Sequence, residues 1–164
     1  MKKNEKTNVM RLLEQNGISY QSHFYQNTGA LSGPQVAAAL DQDPGQVFKT
    51  LVTVGKTGQH YVFVIPVLET LALKRAADAV GEKKVEMIKE KELLPLTGYV
   101  HGGCSPIGMK KQFPTVIDVS CENYKTILFS GGRIGCQVEL SPADLKNMIP
   151  YTLADLSEDH ETGE

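Results

Sequence analysis

The stretch VFKTLVTVGKTGQHYVFVIPV, residues 47–67, decides the fold. Two apolar runs flank GKTG, and a strand, tight turn and second strand of this kind read as an antiparallel hairpin. Alternation along the first strand puts Val47, Lys49 and Leu51 on one face and Phe48, Thr50, Val52 and Val54 on the other. Both faces are largely apolar, which makes Lys49 conspicuous. Its ammonium either guards a sheet edge and reaches back to solvent, or it projects into a pocket. In a pocket it could hold a carbonyl or carboxyl oxygen and stabilise an oxyanion as charge develops.

Before the hairpin, Val9, Leu12 and Leu13 recur at helical spacing between Thr7 and Asn16, and Gly17 supplies a left-handed stop. SYQSHFY at 19–25 reads as a strand and QNTGAL as a loop. Ser32 precedes Gln35 by three residues, a capping-box spacing that starts a short helix through Leu40. Beyond the hairpin a helix is expected over Leu71–Val80, ending at Gly81. KKVEMI, YVHGG, TVIDVS, KTILFS and CQVEL are short strand candidates. Ser141, Pro142 and Asp144 open a last helix that Pro150 stops.

Six or seven short strands with few intervening helices predict an α+β domain: a barrel-like, largely antiparallel mixed sheet flanked by short helices. Regular βαβ alternation is missing, which disfavours a Rossmann domain. The 164 residues, 41% hydrophobic and 22% charged, suit one domain over residues 1–156. The acidic tail at 157–164 is expected to be disordered.

Seventeen basic and 19 acidic side chains leave a net charge of -2, so no overall basic field concentrates nucleic acid. An RNA partner would need local patches or a helper protein. The N-terminus lacks a signal-peptide pattern and no apolar run suggests a membrane span, so the protein is read as cytoplasmic. Cys104, Cys121 and Cys136 are odd in number and far apart, which fits reduced thiols. The histidines show no metal-ligand spacing, and neither metal nor cofactor is expected.

The segment HGGCSPIG, residues 101–108, is the second candidate site. Its glycines would let backbone amides approach a ligand closely, although a plain turn between strands explains the same composition. SGGRIG at 130–135 carries the same ambiguity. Cys104 could be a nucleophile only with a base or an electropositive setting, and only His101 is near in sequence. His23 suits a structural role better than catalysis, and Tyr25 either points into a cleft or packs. The lysine pairs at 83–84 and 110–111 read as solvated faces able to touch phosphates weakly.

With VFKTLV, GGCSPIG, SGGRIG and VELSP in this order, and LKRAADAVGEKKVEM and TGYVHGG between them, the chain resembles the YbaK/EbsC family of aminoacyl-tRNA deacylases from about Asn8 to Leu156. Within the family it is most similar to the branch that removes cysteine from mischarged Cys-tRNA(Pro). The resemblance implies trans-editing of an error that prolyl-tRNA synthetase makes because cysteine and proline are similar in size. It also implies a role for Lys49 in catalysis, with Thr50 beside it in the FKT element and Tyr25 bordering the pocket. Gly102 and Gly103 would form a backbone wall facing the substrate carbonyl, completed by Ser105, Pro106 and Gly108, with Ser130 opposite. The implied chemistry is substrate-assisted: the cysteine thiol attacks its own ester, and no protein nucleophile is needed. The partners implied are the aminoacyl-tRNA and the synthetase that delivers it.

Three rivals stay open. One is a deacylase for another residue, such as alanine on tRNA(Pro), with water as nucleophile. Another is a module that binds aminoacyl-tRNA or a synthetase without cleaving anything. The third makes Cys104 a redox or acyl-transfer thiol.

Overall fold

The central hairpin forms as β2, Phe48–Gly55, antiparallel to β3, His60–Pro66, in register from Phe48 opposite Pro66 to Val54 opposite His60. Gly58, at φ 93°, closes the turn by donating to the Gly55 carbonyl at 2.9 Å. The computed structural model describes residues 6–25 and 33–158. The alternation read along β2 is retained. Phe48 and Val52 join the main core with Val62 and Val64, whereas Leu51 packs with Phe63 and Ile65 in a second cluster.

Two sheets grow from this region. β4, Val85–Met87, pairs antiparallel with β2, while β5, Thr115–Asp118, runs parallel to β3 and β8, Thr152–Ala154, parallel to β5. The order is β4-β2-β3-β5-β8. The second sheet, antiparallel throughout, places β7, Cys136–Leu140, between β1, Gln21–Phe24, and β6, Ile127–Ser130. A parallel bridge between Val47 and Leu128 joins the two sheets.

The mixed α/β class therefore stands, with a correction to its shape. Two sheets of three and five strands replace the single barrel-like sheet, and no barrel closes. The reason is local: β4 and β8 are three-residue strands that end the larger sheet, and among the described residues an isolated bridge, not a continuous ladder, joins the two sheets. The described residues hold eight strands where six or seven were expected.

Helix α1, Asn8–Gln15, starts where the Thr7 hydroxyl accepts from the Met10 N–H and buries Val9, Met10 and Leu13. Helix α2 covers Gly33–Ala39, while the expected cap Ser32 and the QNTGAL loop lie outside the described residues. Helix α3, Leu73–Val80, ends at Gly81 with φ 75°. It begins two residues later than expected, because Leu71 is drawn into a bridge with Ser157. Helix α5, Pro142–Lys146, is capped by Ser141 accepting from the Asp144 N–H.

Several elements differ from the sequence reading, β8 among them, which was not expected. YVHGG is not a strand: helix α4, Glu90–Thr97, ends just before it at Gly98, φ 88°, and the chain then runs as a loop. The helix itself is unexpected, because Pro95 lies inside it. The tail expected from Ser157 starts with held residues. Ser157 accepts from Arg75 through its carbonyl, and the Glu158 N–H donates to Thr70, while residues 159–164 lie outside the description.

Candidate active site

A cavity of about 500 Å3 opens where the start of β2 meets the ends of β6 and β7, with α2 and the β4–α4 segment around it. Of the residues singled out above, Tyr25, Lys49, Thr50, Gly102 and Ser130 line it, together with His101 and Cys104. Lys49 is half-buried, and among the described residues its ammonium makes no hydrogen bond or ion pair. Burial holds its pKa below the ordinary lysine value, partly offset by the charge of Glu69. The Thr50 hydroxyl is buried without a hydrogen-bond partner. Ser130 accepts from the Gly132 N–H at 3.1 Å, which fixes the turn behind it.

The glycine-rich segment divides. Gly102, at φ 89°, reaches the cavity, whereas Gly103, Ser105, Pro106 and Gly108 build the loop behind that wall. At Gly103 a Cβ would come within 3.0–3.1 Å of the Arg133 and Ile134 backbone, so HGGCSPIG and SGGRIG are pressed together main chain to main chain. Ser105 is fully buried and accepts from the Ile107 N–H, and Tyr99 donates its hydroxyl to the Ile107 carbonyl. These contacts brace the loop that follows Gly102.

Cys104 is a poor nucleophile here. Burial pushes its thiol up to about 12, and the nearby Thr97 only partly opposes that shift. His23 lies outside the cavity lining, bonded to Glu139 at 2.8 Å. Lys110 and Lys111 also lie outside: Lys110 donates to the Pro95 carbonyl and Lys111 sits 5.8 Å from the Phe113 ring centre.

Sequence reasoning missed Gln137, which lines the cavity at 5% exposure with its Oε1 unpaired. The available signal was a lone amide between Cys136 and Val138, both fully buried, on the strand face that alternation turns away from them. It also missed the apolar wall of Pro34 and Val36 from α2 and Met87, Ile88 and Leu93 near α4. Among the described lining residues the one carboxylate is Glu90, exposed at the rim. The described walls thus offer positive charge and hydrogen-bonding groups to a bound molecule, and their thiol, Cys104, is held protonated. Among the described residues no group of three or more His, Cys, Asp or Glu is placed to hold a metal, and no helix is long and apolar enough to cross a membrane.

The family model of the aminoacyl-tRNA editing domain matches residues 30–148. A protein of Enterococcus faecalis provisionally named as the Cys-tRNA(Pro)/Cys-tRNA(Cys) deacylase EbsC is 43% identical over 157 residues, covering 95% of this chain and 96% of its own. A solved structure described provisionally as a trans-editing enzyme for prolyl-tRNA synthetase superposes with a TM-score of 0.80 at 25% identity, covering 94% of this chain and 100% of that one. Another, of a hypothetical protein, reaches a TM-score of 0.84 at 26% identity over 93% of this chain and 100% of that one.

Proposed function

The chain belongs to the family of aminoacyl-tRNA editing domains, and we propose that it is a trans-editing deacylase removing mischarged cysteine from Cys-tRNA(Pro). One observation carries this reading beyond the family: Lys49, which makes no hydrogen bond or ion pair among the described residues, stands in a cavity whose lining thiol, Cys104, burial keeps protonated. Such a site suits a reaction whose nucleophile arrives with the substrate.

In that reaction the cysteine sulfur attacks its own ester carbonyl carbon, the carbon–oxygen bond to the ribose breaks, and a cyclic thiolactone forms. The thiol proton ends on the freed ribose hydroxyl, and the thiolactone is later opened by water. The protein's share is to fold the thiol onto the carbonyl, since an intramolecular attack already has a high effective molarity. Lys49 holds the carbonyl oxygen as charge develops, and Gly102, which lines the same cavity, supplies a backbone amide as a second donor. Thr50, Ser130 and Tyr25 border the aminoacyl group. Gly103, Ser105, Pro106 and Gly108 keep the wall in place. Selectivity then comes from chemistry as well as fit, because alanine can enter but cannot cyclise.

The net charge of -2 favours weak, salt-dependent contact with bare tRNA, so prolyl-tRNA synthetase is the proposed delivery partner, in the cytoplasm where tRNA is charged. The test is deacylation of Cys-tRNA(Pro) beside Ala-tRNA(Pro) by wild type and Lys49→Ala. Loss of cysteine alone, dependent on Lys49, is the expected result. Cleavage of both esters replaces the thiol by water as nucleophile, and cleavage of neither replaces the enzyme by a binding module.

A further inference from the structure

Lys49, Ser130 and Gln137 stand in a row across three strands. The parallel bridge between Val47 and Leu128 brings Lys49 beside Ser130, each two residues further on, and Ser130 lies directly opposite Gln137. Neighbouring strands are about 4.8 Å apart, so the row is roughly 10 Å from its first strand to its third. All three residues line the cavity.

Gln137 is 5% exposed, yet its Oε1 meets no donor among the described residues. The next polar residue on the same face of β7 is satisfied: Glu139 accepts from the Thr126 hydroxyl and bonds to His23. An amide left unpaired in so buried a position is costly unless a ligand completes it. A half-turn of its last bond exchanges oxygen and nitrogen, so the same side chain can present an acceptor to the cavity.

An aminoacyl ester brings one strong donor close to its carbonyl, the α-amino group. A carboxylate would accept from that group, but in this row it would also pair with Lys49 and draw the ammonium away from the carbonyl oxygen. A neutral amide accepts without competing. We infer that Gln137 is a specificity-determining residue that accepts a hydrogen bond from the α-amino group of the aminoacyl ester. The inference rests on the editing function proposed above and adds a recognition group to that site.

The test is calorimetric binding of two stable ligands: 3′-amino-3′-deoxyadenosine acylated with cysteine, and the same compound acylated with 3-mercaptopropionic acid, which lacks only the amino group. Wild type is expected to bind the first about fivefold to tenfold more tightly, the worth of one such hydrogen bond. Gln137→Met, of similar length without polar atoms, is expected to bind both alike, and Gln137→Glu to keep the preference. A structural role predicts something else, equal weakening of both ligands in Gln137→Met, and that result overturns the inference, as does a preference that survives in it. Wild type binding both ligands without preference overturns the inference alone and needs no variant to fold. Wild type binding neither removes the editing reading together with it.

Discussion

The β2–β3 hairpin ends in two contrasting ways. At its turn, the Glu82 carboxylate accepts from the N–H and hydroxyl of Thr57 and from the Tyr61 hydroxyl, tying the turn to the end of α3. Gly55 lies so close beneath it that a Cβ there would strike the carboxylate. At the opposite end, Lys49 makes no hydrogen bond among the described residues, and the Thr50 hydroxyl and Gln137 Oε1 are buried without partners. Charged and polar groups are thus found at both ends of one hairpin, satisfied at one and unsatisfied at the other. The first arrangement holds the fold. The second leaves free energy to be recovered when a ligand arrives.

The largest expected effect tests the unsatisfied end. Lys49→Met is expected to lower kcat/KM on Cys-tRNA(Pro) by about 100-fold to 1,000-fold, the usual loss of one oxyanion-stabilising group. The same change should raise stability. The pKa of Lys49 is lowered in the folded state, so its charged form is disfavoured by folding at every pH below that value, and the penalty lifts only as pH rises through it. Removing the charge is expected to raise the melting temperature by roughly 1–3 °C at neutral pH. A melting temperature that falls instead would mean that Lys49 holds the fold, and the contrast between the two ends would be lost.

Glu82→Gln tests the satisfied end and should do the reverse. The hydrogen bond from Thr57, then that from Tyr61, holds the Glu82 carboxyl below its ordinary 4.5. A depressed carboxylate contributes stability that is present above the ordinary value and lost as pH falls through the folded one. Wild type is therefore expected to lose this contribution on acidification, and the variant to be weaker at neutral pH with a flatter acid limb. Thermal melts from pH 7 down to pH 3 read both, at roughly one-unit steps. Activity per folded molecule should stay unchanged.

A third substitution tests the loop behind the cavity wall. Gly103 is outside the cavity lining but presses on the Arg133 and Ile134 backbone. Gly103→Ala is expected to cost about 1–3 kcal/mol through overpacking of main chain that cannot yield. It should also lower kcat/KM by about tenfold, because the neighbouring Gly102 is displaced. Chemical denaturation and single-turnover deacylation measure the two losses. A variant that is less stable yet fully active would show that the wall does not need its support.

These contrasts explain what was legible from sequence. The hairpin over 47–67 could be read because apolar period and turn chemistry agree. Helix α4 could not, since Pro95 is an internal breaker. Its support comes from the Glu92 side chain accepting from the Lys89 N–H and from Gly98 at its end. β8 follows Pro150 and has only three residues, with a parallel partner, β5, distant in sequence. Lys49 stood out as a charge in an apolar strand. Gln137 did not, because an amide at an alternating position normally faces water, and its burial appears only once α2 and β2 bring their residues around the same cavity.

Cys104 gives the smallest expected effect and the finest division between the two kinds of polar group. Its side chain reaches the cavity wall, which by position alone would assign it to the site. Its surroundings assign it to the fold: it is 9% exposed beside Thr97, whose hydroxyl donates to the Leu93 carbonyl and accepts from the Tyr99 N–H. With the thiol pushed up to about 12, it stays protonated wherever the substrate's own thiol can ionise. Cys104→Ser is therefore expected to change kcat/KM by less than about twofold, because no proton or electron pair of the reaction passes through it. Wild-type protein should also resist iodoacetamide at pH 8 while free cysteine, with a pKa of about 8.5, reacts readily. If Cys104→Ser were inactive yet bound the cysteinyl ligand normally, a partnered and buried group would be taking part in the chemistry. Pairing would then no longer separate the groups that hold this protein from the groups that act.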